Sequence, residues 1–521
     1  MHHPTLIPVA DASAAALADA GAIGAGTPSR ALMQRAGAAA AAEIARRHAE
    51  HLGGGVVVVT GSGNNGGDGW VIARALHAVG IAVRVVECVA ARSPDAIAER
   101  TLAVNDGVGV STDIASMRAG GEPIVVDAVL GTGFSAGAPL RESVALAVEA
   151  LRALASEGRV LVGIDLPSGL DASSGASEGA APCDITITFG SIKRGHLVAR
   201  DLCGAIVVVD IGLGVHAMTR AQPVLASAAW FRAMLPRIPA SAHKGTRGKV
   251  VVIGGAAGMA GATILAARAA LRSGAGMIKC AVAPESLLAL QEAEPAALSM
   301  SWPTSDAQFD EGIGGWADAI LVGPGLGSHD TRAMVERVLR RFAGPVVLDA
   351  DALNAFADDI DALLPLVGSR AALLTPHPAE FARLLGETTQ RVLDDRFEMP
   401  AVAALRSGTT VLLKGVPTII TAPSGSTMVV AEGTPVLGTG GSGDMLGGIA
   451  ITLLAQCGDA LMAGALAAFA HGRAAAAVSA RQVRGYTLDD VVGALPLVWG
   501  LSAATPRPPI LCELPAVGES G

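Results

Sequence analysis

Gly61-Ser-Gly-Asn-Asn-Gly-Gly-Asp-Gly69 and Gly438-Thr-Gly-Gly-Ser-Gly-Asp444 are the two stretches on which the fold turns. Each follows a run of strand-forming residues and leads into an apolar, helix-forming one. Glycine lets the main chain approach a ligand closely, and the amides that open a helix carry partial positive charge. Each stretch is therefore suited to receive a phosphate. Each also carries an aspartate, Asp68 or Asp444, where a reacting hydroxyl could sit. Two unlike phosphate turns in one polypeptide point to two enzymes joined in sequence.

Outward from the first turn, strand and helix patterns alternate. Strands are expected at Val56–Thr60, Ala82–Glu87, Ile124–Ala128, Val160–Asp165, Ile185–Phe189 and Ala205–Asp210. Helices are expected at Leu32–His48, Val71–Val79 and Leu140–Ala155. This is the βαβ rhythm of a doubly wound parallel sheet. The rhythm breaks over Gly212–Lys244, which holds Pro223, Pro236 and Pro239, and the domain junction is placed there. It resumes with strand Val250–Ile253, glycine loop Gly254–Gly261 and helix Ala262–Ser273. Strands follow at Met277–Ala283, Ala319–Val322, Val346–Leu348, Ala372–Leu374, Thr410–Leu413, and Thr418–Thr421 in a hairpin with Met428–Ala431. Helix Met445–Ala455 follows the second turn. Residues 502–521 hold four prolines and little pattern, so a loose tail is expected. The reading is two α/β domains, residues 1–214 and 225–505, in a chain of 521 residues.

Composition excludes several classes. Apolar residues make up 51% but aromatics only 3%, so the apolar mass is the Ala, Val and Leu of buried parallel strands and their covering helices. The net charge is −9 and the basic residues are scattered, which argues against nucleic acid and anionic membranes as partners. The 6 cysteines form no C-x-x-C pair, which speaks against a zinc site or disulfide framework and fits a reducing cytoplasm. The N-terminus lacks a basic region leading into an apolar one, and no secretion signal is expected. Val250–Ala267 is uncharged, but its glycines read as strand, loop and buried helix rather than a membrane span. A homo-oligomer is expected.

Gly61-Ser-Gly-Asn-Asn-Gly66 satisfies G-x-G-x-x-G, and Glu87 closes the next strand. By the letter this is a dinucleotide-binding fingerprint, which alone suggests an NAD-dependent dehydrogenase. Asn64, Asn65 and Asp68 argue otherwise, because a carboxylate in the turn repels a pyrophosphate unless a cation or ligand hydroxyl meets it. Further oxygen-rich turns end strands at Asp127, with loop Gly131–Gly137, at Asp165-Leu-Pro-Ser168 and at Asp171. Strand ends converge in an open α/β sheet, so Asn65, Asp127 and Ser168 could form an all-oxygen site for a hard cation. The alternative is that each aspartate merely caps a helix or turn.

Leu32-Met-Gln-Arg-Ala-Gly37, Asn64-Asn-Gly-Gly-Asp68, Asp127 with Gly131-Thr-Gly-Phe-Ser-Ala-Gly137, and Asp165-Leu-Pro-Ser-Gly-Leu-Asp171 together resemble the NAD(P)H-hydrate epimerase family over roughly Ala10–Gly214. The resemblance implies a Rossmann-like fold without dehydrogenase chemistry. It implies substrate contacts from Asn64, Asn65, Gly66, Gly67 and Asp68, from Gly131, Thr132, Gly133, Phe134, Ser135, Ala136 and Gly137, and from Asp165, which is also expected to be catalytic. It implies a potassium ion on Asn65, Asp127 and Ser168.

In the second half, Gly438–Asp444 presents amides at a helix start, and Asp444 can accept a proton from an attacking hydroxyl. No Walker A pattern exists. The motif alone suggests a ribokinase-like kinase of a small molecule. His243-Lys-Gly-Thr-Arg-Gly-Lys-Val250, Gly323-Pro-Gly-Leu-Gly327, Asp349-Ala-Asp-Ala-Leu-Asn354, Thr375-Pro-His-Pro-Ala-Glu380 and Lys414-Gly-Val-Pro-Thr418 extend it. The set resembles the ADP-dependent NAD(P)H-hydrate dehydratase family over roughly Leu225–Trp499. The resemblance implies substrate contacts from Ala262, Gly327, His377 and Asp444, and adenine-nucleotide contacts from Lys414, Gly415, Val416, Pro417, Thr418 and Gly443. Met259 stands where that family often has Tyr. His377, between two prolines, has a stiff backbone and reads as a ligand contact.

The expectation is a bifunctional repair enzyme. NADH and NADPH hydrated at the nicotinamide 5,6 double bond exist as R and S epimers at C6. The first domain equilibrates them, and the second uses ADP, magnesium and the base Asp444 to dehydrate the S form. The alternative is a kinase of a vitamin alcohol fused to a non-catalytic nucleotide-binding domain.

Overall fold

The computed structural model describes residues 6–137, 139–218, 223–328, 330–481, 484–500 and 506–517. Contacts divide the chain into two units, Ile7–Gln222 together with Thr505–Glu519, and Pro223–Ala504.

The first unit holds β1 (Ile7–Ala10), β2 (Val56–Thr60), β3 (Val83–Glu87), β4 (Gly109–Ser111), β5 (Ile124–Ala128), β6 (Val160–Ile164), β7 (Ile185–Phe189), β8 (Ile192–Lys193) and β9 (Ala205–Val209). Seven of them form a parallel sheet in the order β9-β7-β6-β5-β2-β3-β4, while β1 pairs in parallel with β8. Every residue of β2, Val56-Val-Val-Val-Thr60, is buried, as a central parallel strand covered by helices on both faces requires. From β2 the chain moves to β3 and β4 on one side, then crosses back to β5 on the other. The carboxyl ends of β2 and β5 therefore flank the switch point where such sheets open a crevice.

The second unit holds β10 (Val224–Leu225), β11 (Lys249–Ile253), β12 (Met277–Val282), β13 (Leu298–Ser301), β14 (Ala319–Val322), β15 (Val346–Leu348), β16 (Ala372–Leu374), β17 (Thr410–Leu413), β18 (Thr418–Thr421) and β19 (Thr427–Val430). Their order is β13-β12-β11-β14-β15-β16-β17-β18-β19-β10, parallel except for the two antiparallel pairings that β18 makes. The same reversal occurs between β11 and β14, where the loops Gly254–Gly261 and Gly323–Gly327 meet. Helices Ser442–Cys457 and Ala460–Ser479 are mostly buried against this sheet, with Phe469 stacked on Phe231 at 4.5 Å between ring centres. Among the described residues Ala460–Ser479 alone is long and apolar enough to cross a membrane, and 72% of its apolar window is buried within the protein. The uncharged stretch Val250–Ala267 is strand, loop and helix, as read from its glycines.

Two expectations change. The helices after the phosphate turns begin earlier than predicted, at Asn64 and Ser442 rather than Val71 and Met445. The glycines of the first turn serve close packing as much as looping: a Cβ on Gly66 would stand 2.0 Å from the Gly61 carbonyl oxygen, and one on Gly69 2.7 Å from the Ala128 Cβ. The expected loose tail contains a strand, Ile510–Leu514, antiparallel to β9. Its Ile510, Cys512 and Leu514 are buried on one face at the open edge of the sheet, which the preceding prolines obscured.

Deleting residues 506–521 is expected to lower the melting temperature of the first unit by several degrees, since three side chains each contributing roughly 1 to 2 kcal/mol lose their burial. Calorimetry of the shortened chain checks this; an unchanged transition would mean that the strand adds nothing to that unit.

Candidate active sites

The first crevice is a cavity of about 510 Å³ lined in part by Asp19, Asn64, Asn65, Asp68, Gly131, Thr132, Gly133, Phe134, Asp165 and Lys193. Gly66 and Gly67 lie behind the lining, packed on the Gly61 carbonyl and the Met33 side chain. Ser135, Ala136 and Gly137 lie outside it; Ala136 and Gly137 donate their amides to Asp171 and Glu178 at 2.9 and 3.2 Å. Asp171 therefore fastens the loop. Gln34 and Arg30 both bind the buried Glu99 at 2.7 Å, and Arg35 donates to the Ile211 carbonyl at 3.1 Å. The polar residues of this helix thus dock it, while Leu32, Met33 and Ala36 of the Leu32–Gly37 motif line the cavity wall. Glu87, which completed the dinucleotide fingerprint, is buried against Arg100 at 2.8 Å and is committed to the interior.

Asn65, Asp127 and Ser168 converge. The Ser168 hydroxyl and amide donate to Asp127 at 2.5 and 2.8 Å, the Val129 amide donates to Asp127 at 3.2 Å, and Asn65 Nδ2 donates to the Leu130 carbonyl at 2.8 Å. Asn65 Oδ1 is buried without a hydrogen-bond partner. Burial pushes the Asp127 carboxyl up, against the lowering effect of its donors from Ser168 and Val129. An orphaned carbonyl oxygen beside a buried carboxylate suits a hard, oxygen-preferring cation.

Asp165 follows β6 with a left-handed backbone, φ 62°, which few non-glycine residues adopt. Neighbours hold it there. Its carbonyl accepts from His196 Nε2 at 2.7 Å, and its Oδ1 accepts from Lys193 Nζ at 2.6 Å and Thr188 Oγ1 at 2.9 Å. His196 Nδ1 accepts the Lys193 amide at 3.1 Å, and burial pushes this imidazole down to about 3, so it stays neutral with its proton on Nε2. Burial would raise the Asp165 carboxyl, but the charge and hydrogen bond of Lys193, with the lowering effects of His196 and Thr188, together outweigh it and hold the group below its ordinary range. Burial and the charge of Asp165 push Asp68 well above its own. Sequence reasoning missed Lys193, which sits on a two-residue strand with no motif around it.

In the second unit Asp444 lies in the first turn of helix Ser442–Cys457, behind the left-handed Gly441. Lys414 Nζ bonds Asp349 Oδ1 at 2.9 Å and lies 3.9 Å from Glu380. Burial, then the charge of Asp349, pushes Asp444 up to about 7. A second cavity, about 250 Å³, is lined in part by Lys414, Gly415, Val416, Thr418, Gly443 and His471. Pro417 is not among its lining residues. The Gly327 amide donates to Asp351 at 2.8 Å, and the adjoining Gly325 has room for no Cβ beside Met259 and Ala262. His377 caps helix Pro378–Leu385, its Nδ1 accepting the Ala379 and Glu380 amides at 3.2 and 3.4 Å, while half its side chain stays exposed. Asp349, fully buried against Lys414, heads a motif that the sequence singles out, but its own role shows only in the pairing with Lys414.

Each unit thus carries one polar crevice, and comparison with known proteins shows the family to which the chain belongs. Residues 29–195 match the family described as YjeF-related protein N-terminus, and residues 250–497 match NAD(P)H-hydrate dehydratase. The bifunctional NAD(P)H-hydrate repair enzyme of Moorella thermoacetica is 35% identical over 90% of this chain and 92% of its own. The chain belongs to the bifunctional NAD(P)H-hydrate repair enzyme family. The Escherichia coli member is 34% identical over 83% of this chain and 82% of its own. An ADP/ATP-dependent NAD(P)H-hydrate dehydratase from Bacillus subtilis, co-crystallised with ATP and Mg2+, is 27% identical over 53% of this chain and 98% of its own, with a TM-score of 0.45.

For this repair-enzyme chain, Gly66→Ala tests the first turn. Its Cβ would stand 2.0 Å from the Gly61 carbonyl, so the turn must open, at an expected cost of about 1 to 3 kcal/mol in denaturant unfolding. Unchanged stability would show that the turn yields freely.

Proposed function

We propose that the first unit interconverts the R and S hydrates of NADH and NADPH, and that the second dehydrates the S form at the expense of ADP. The observation that carries the second half is Asp444, raised to about 7 at a glycine-rich helix start beside a Lys414–Asp349 pair. A base with that affinity for protons is poised at neutral pH. In this reading Asp444 takes the proton of the C6 hydroxyl as that oxygen attacks the terminal phosphoryl group of ADP. The amides around Gly443 and the Lys414 ammonium hold the nucleotide, with Gly415, Val416, Pro417 and Thr418. Loss of phosphate from C6, with a proton from C5, restores the dihydropyridine. Ala262, Gly327 and His377 are assigned to the hydrate. Among the described residues no cluster of three or more His, Cys, Asp or Glu side chains has metal-binding geometry. Asp349 and Asp444 are the carboxylates that would help hold magnesium together with phosphate oxygens and water, and the ion would offset phosphate charge.

In the first unit we assign the hydrate to Asn64–Asp68, loop Gly131–Gly137 and Asp165, and potassium to Asn65, Asp127 and Ser168. The orphaned Asn65 Oδ1 supports the ion. Potassium would offset the carboxylates and let a pyrophosphate approach. Hydrates arise wherever reduced nicotinamide nucleotides are kept, and we place the chain in the cytoplasm.

Asp444→Asn keeps the shape and removes the base, so dehydration should slow by roughly a hundredfold or more. In the parent, kcat/KM should climb with pH through about 7, since Asp444 works ionised. Turnover in the variant near the parent's, or a flat profile between pH 6 and 8, would remove Asp444 from the mechanism.

Replacing potassium with a bulky organic cation should weaken NADH-hydrate binding to the first unit, and Asp127→Ala should weaken it further. Equal affinities in calorimetric titrations would reduce these residues to turn caps.

A further inference from the structure

Three carboxyl groups line the first cavity, Asp19, Asp68 and Asp165, and among the described residues only Asp165 is bonded to a cation. Asp165, on the loop after β6, gives its Oδ1 to Lys193 and Thr188. Its Oδ2 accepts no hydrogen bond among the described residues. Asp68, in the first turns of helix Asn64–Ala78, lines the same cavity and has no side-chain hydrogen bond among the described residues. Lys193 has no donor to spare for it. Besides Asp165, the ammonium reaches Thr188 Oγ1 at 2.8 Å and the Phe189 and Ser191 carbonyls at 3.2 and 3.3 Å, and the side chain is buried. The other titratable groups nearby do not replace it. Asp19, from helix Ala12–Gly24, adds a third acid at the exposed side, and His196 is spent on the Asp165 carbonyl and the Lys193 amide.

Resting on the epimerase reading, we propose that Lys193 divides the labour between the two acids, holding Asp165 as the base and leaving Asp68 as the proton donor, so that epimerisation runs by opening the hydrated ring. The directions agree: Lys193, with its neighbours, lowers the proton affinity of Asp165, while burial and the charge of Asp165 raise that of Asp68 well above the usual carboxylate range. Two acids whose surroundings separate their proton affinities are the usual mark of an acid–base pair.

The chemistry balances without a co-reactant. C6 of the hydrate carries both a hydroxyl and the ring nitrogen N1. Asp165 Oδ2 takes the hydroxyl proton, the C6–O bond becomes a carbonyl, and the C6–N1 bond breaks with its electron pair passing to N1. Asp68 protonates N1. Rotation about C5–C6 turns the other face of the aldehyde to N1. N1 then attacks, returning its proton to Asp68, while the oxygen recovers the proton from Asp165. Configuration at C6 inverts, and the oxygen never leaves carbon. Lys193 is a positioning residue here, and Asp68 and Asp165 are the catalytic ones.

The test uses the full-length chain, purified R-NADH hydrate, no ADP, and chromatographic separation of the epimers. The parent should give a bell-shaped rate profile, its acid limb from Asp165 and its alkaline limb from Asp68. Asp68→Asn should slow epimerisation roughly a hundredfold or more and abolish the alkaline limb. Lys193→Met should move the acid limb to higher pH, because Asp165 then binds its proton more tightly, and Lys193→Arg should restore part of the shift. In water enriched in oxygen-18, label should enter C6 more slowly than the epimers interconvert. An active parent whose Asp68→Asn variant keeps its rate and alkaline limb, or label entering at every inversion, would overturn the pairing alone. A parent that leaves the R hydrate unchanged would overturn the epimerase reading and the pairing with it.

Discussion

One buried lysine held against one aspartate, with a second aspartate left over, is the constraint that both crevices share. In the first unit Lys193 bonds Asp165 at 2.6 Å, and Asp68 keeps its proton more tightly than an exposed carboxyl would. In the second, Lys414 bonds Asp349 at 2.9 Å, and Asp444 is lifted to about 7. Burying a lone ammonium would be costly, and burying two carboxylates beside each other would be costlier still. The bonded pair removes most of that penalty, and the remaining acid is tuned toward neutrality by its neighbours. The two units reach the same electrostatic arrangement from different strand orders.

The sheets exist to hold that arrangement. Continuous runs such as Val56–Thr60 and Lys249–Ile253 commit each unit to a central parallel strand, and the reversal of strand order opens a crevice at their carboxyl ends. Glycines then bring a helix start against the strand end. Gly66 backs onto the Gly61 carbonyl just after β2, and Gly448 lets helix Ser442–Cys457 pack on the Ala266 carbonyl of helix Ala260–Arg272, with room for no side chain at either place. Helix N-termini and carboxylates are thereby brought to the same spot: the positive helix end favours an acidic group or a phosphate there, while carboxylates gathered beside one another repel and need a cation between them.

Much of this was legible in the sequence because local chemistry decided it. Glycine turns, β-branched runs and strand-end aspartates report their own surroundings. Asn65, Asp127 and Ser168 could be grouped because strand ends converge in such sheets, and the structure brings them within hydrogen-bonding reach of one another's loops. Lys193 could not be picked out, and Asp349, although its motif was, could be given no role, since their importance lies in partners 28 and 65 residues away in the chain. The strand Ile510–Leu514 was hidden for the same reason: its alternation is short, prolines surround it, and only the open edge of β9 gives it a place. The early helix starts were missed because glycine is read as a breaker when its role is tight packing.

Joined in one chain, the two proposed sites recover both epimers. The most direct measurement supplies an R and S mixture of NADH hydrate with ADP and magnesium to the purified chain and follows the dihydronicotinamide absorbance. The account predicts that the whole mixture returns to NADH, with the R share converted at an enzyme-dependent rate. Recovery that stops at the S share, with the R form fading no faster than without protein, would contradict it.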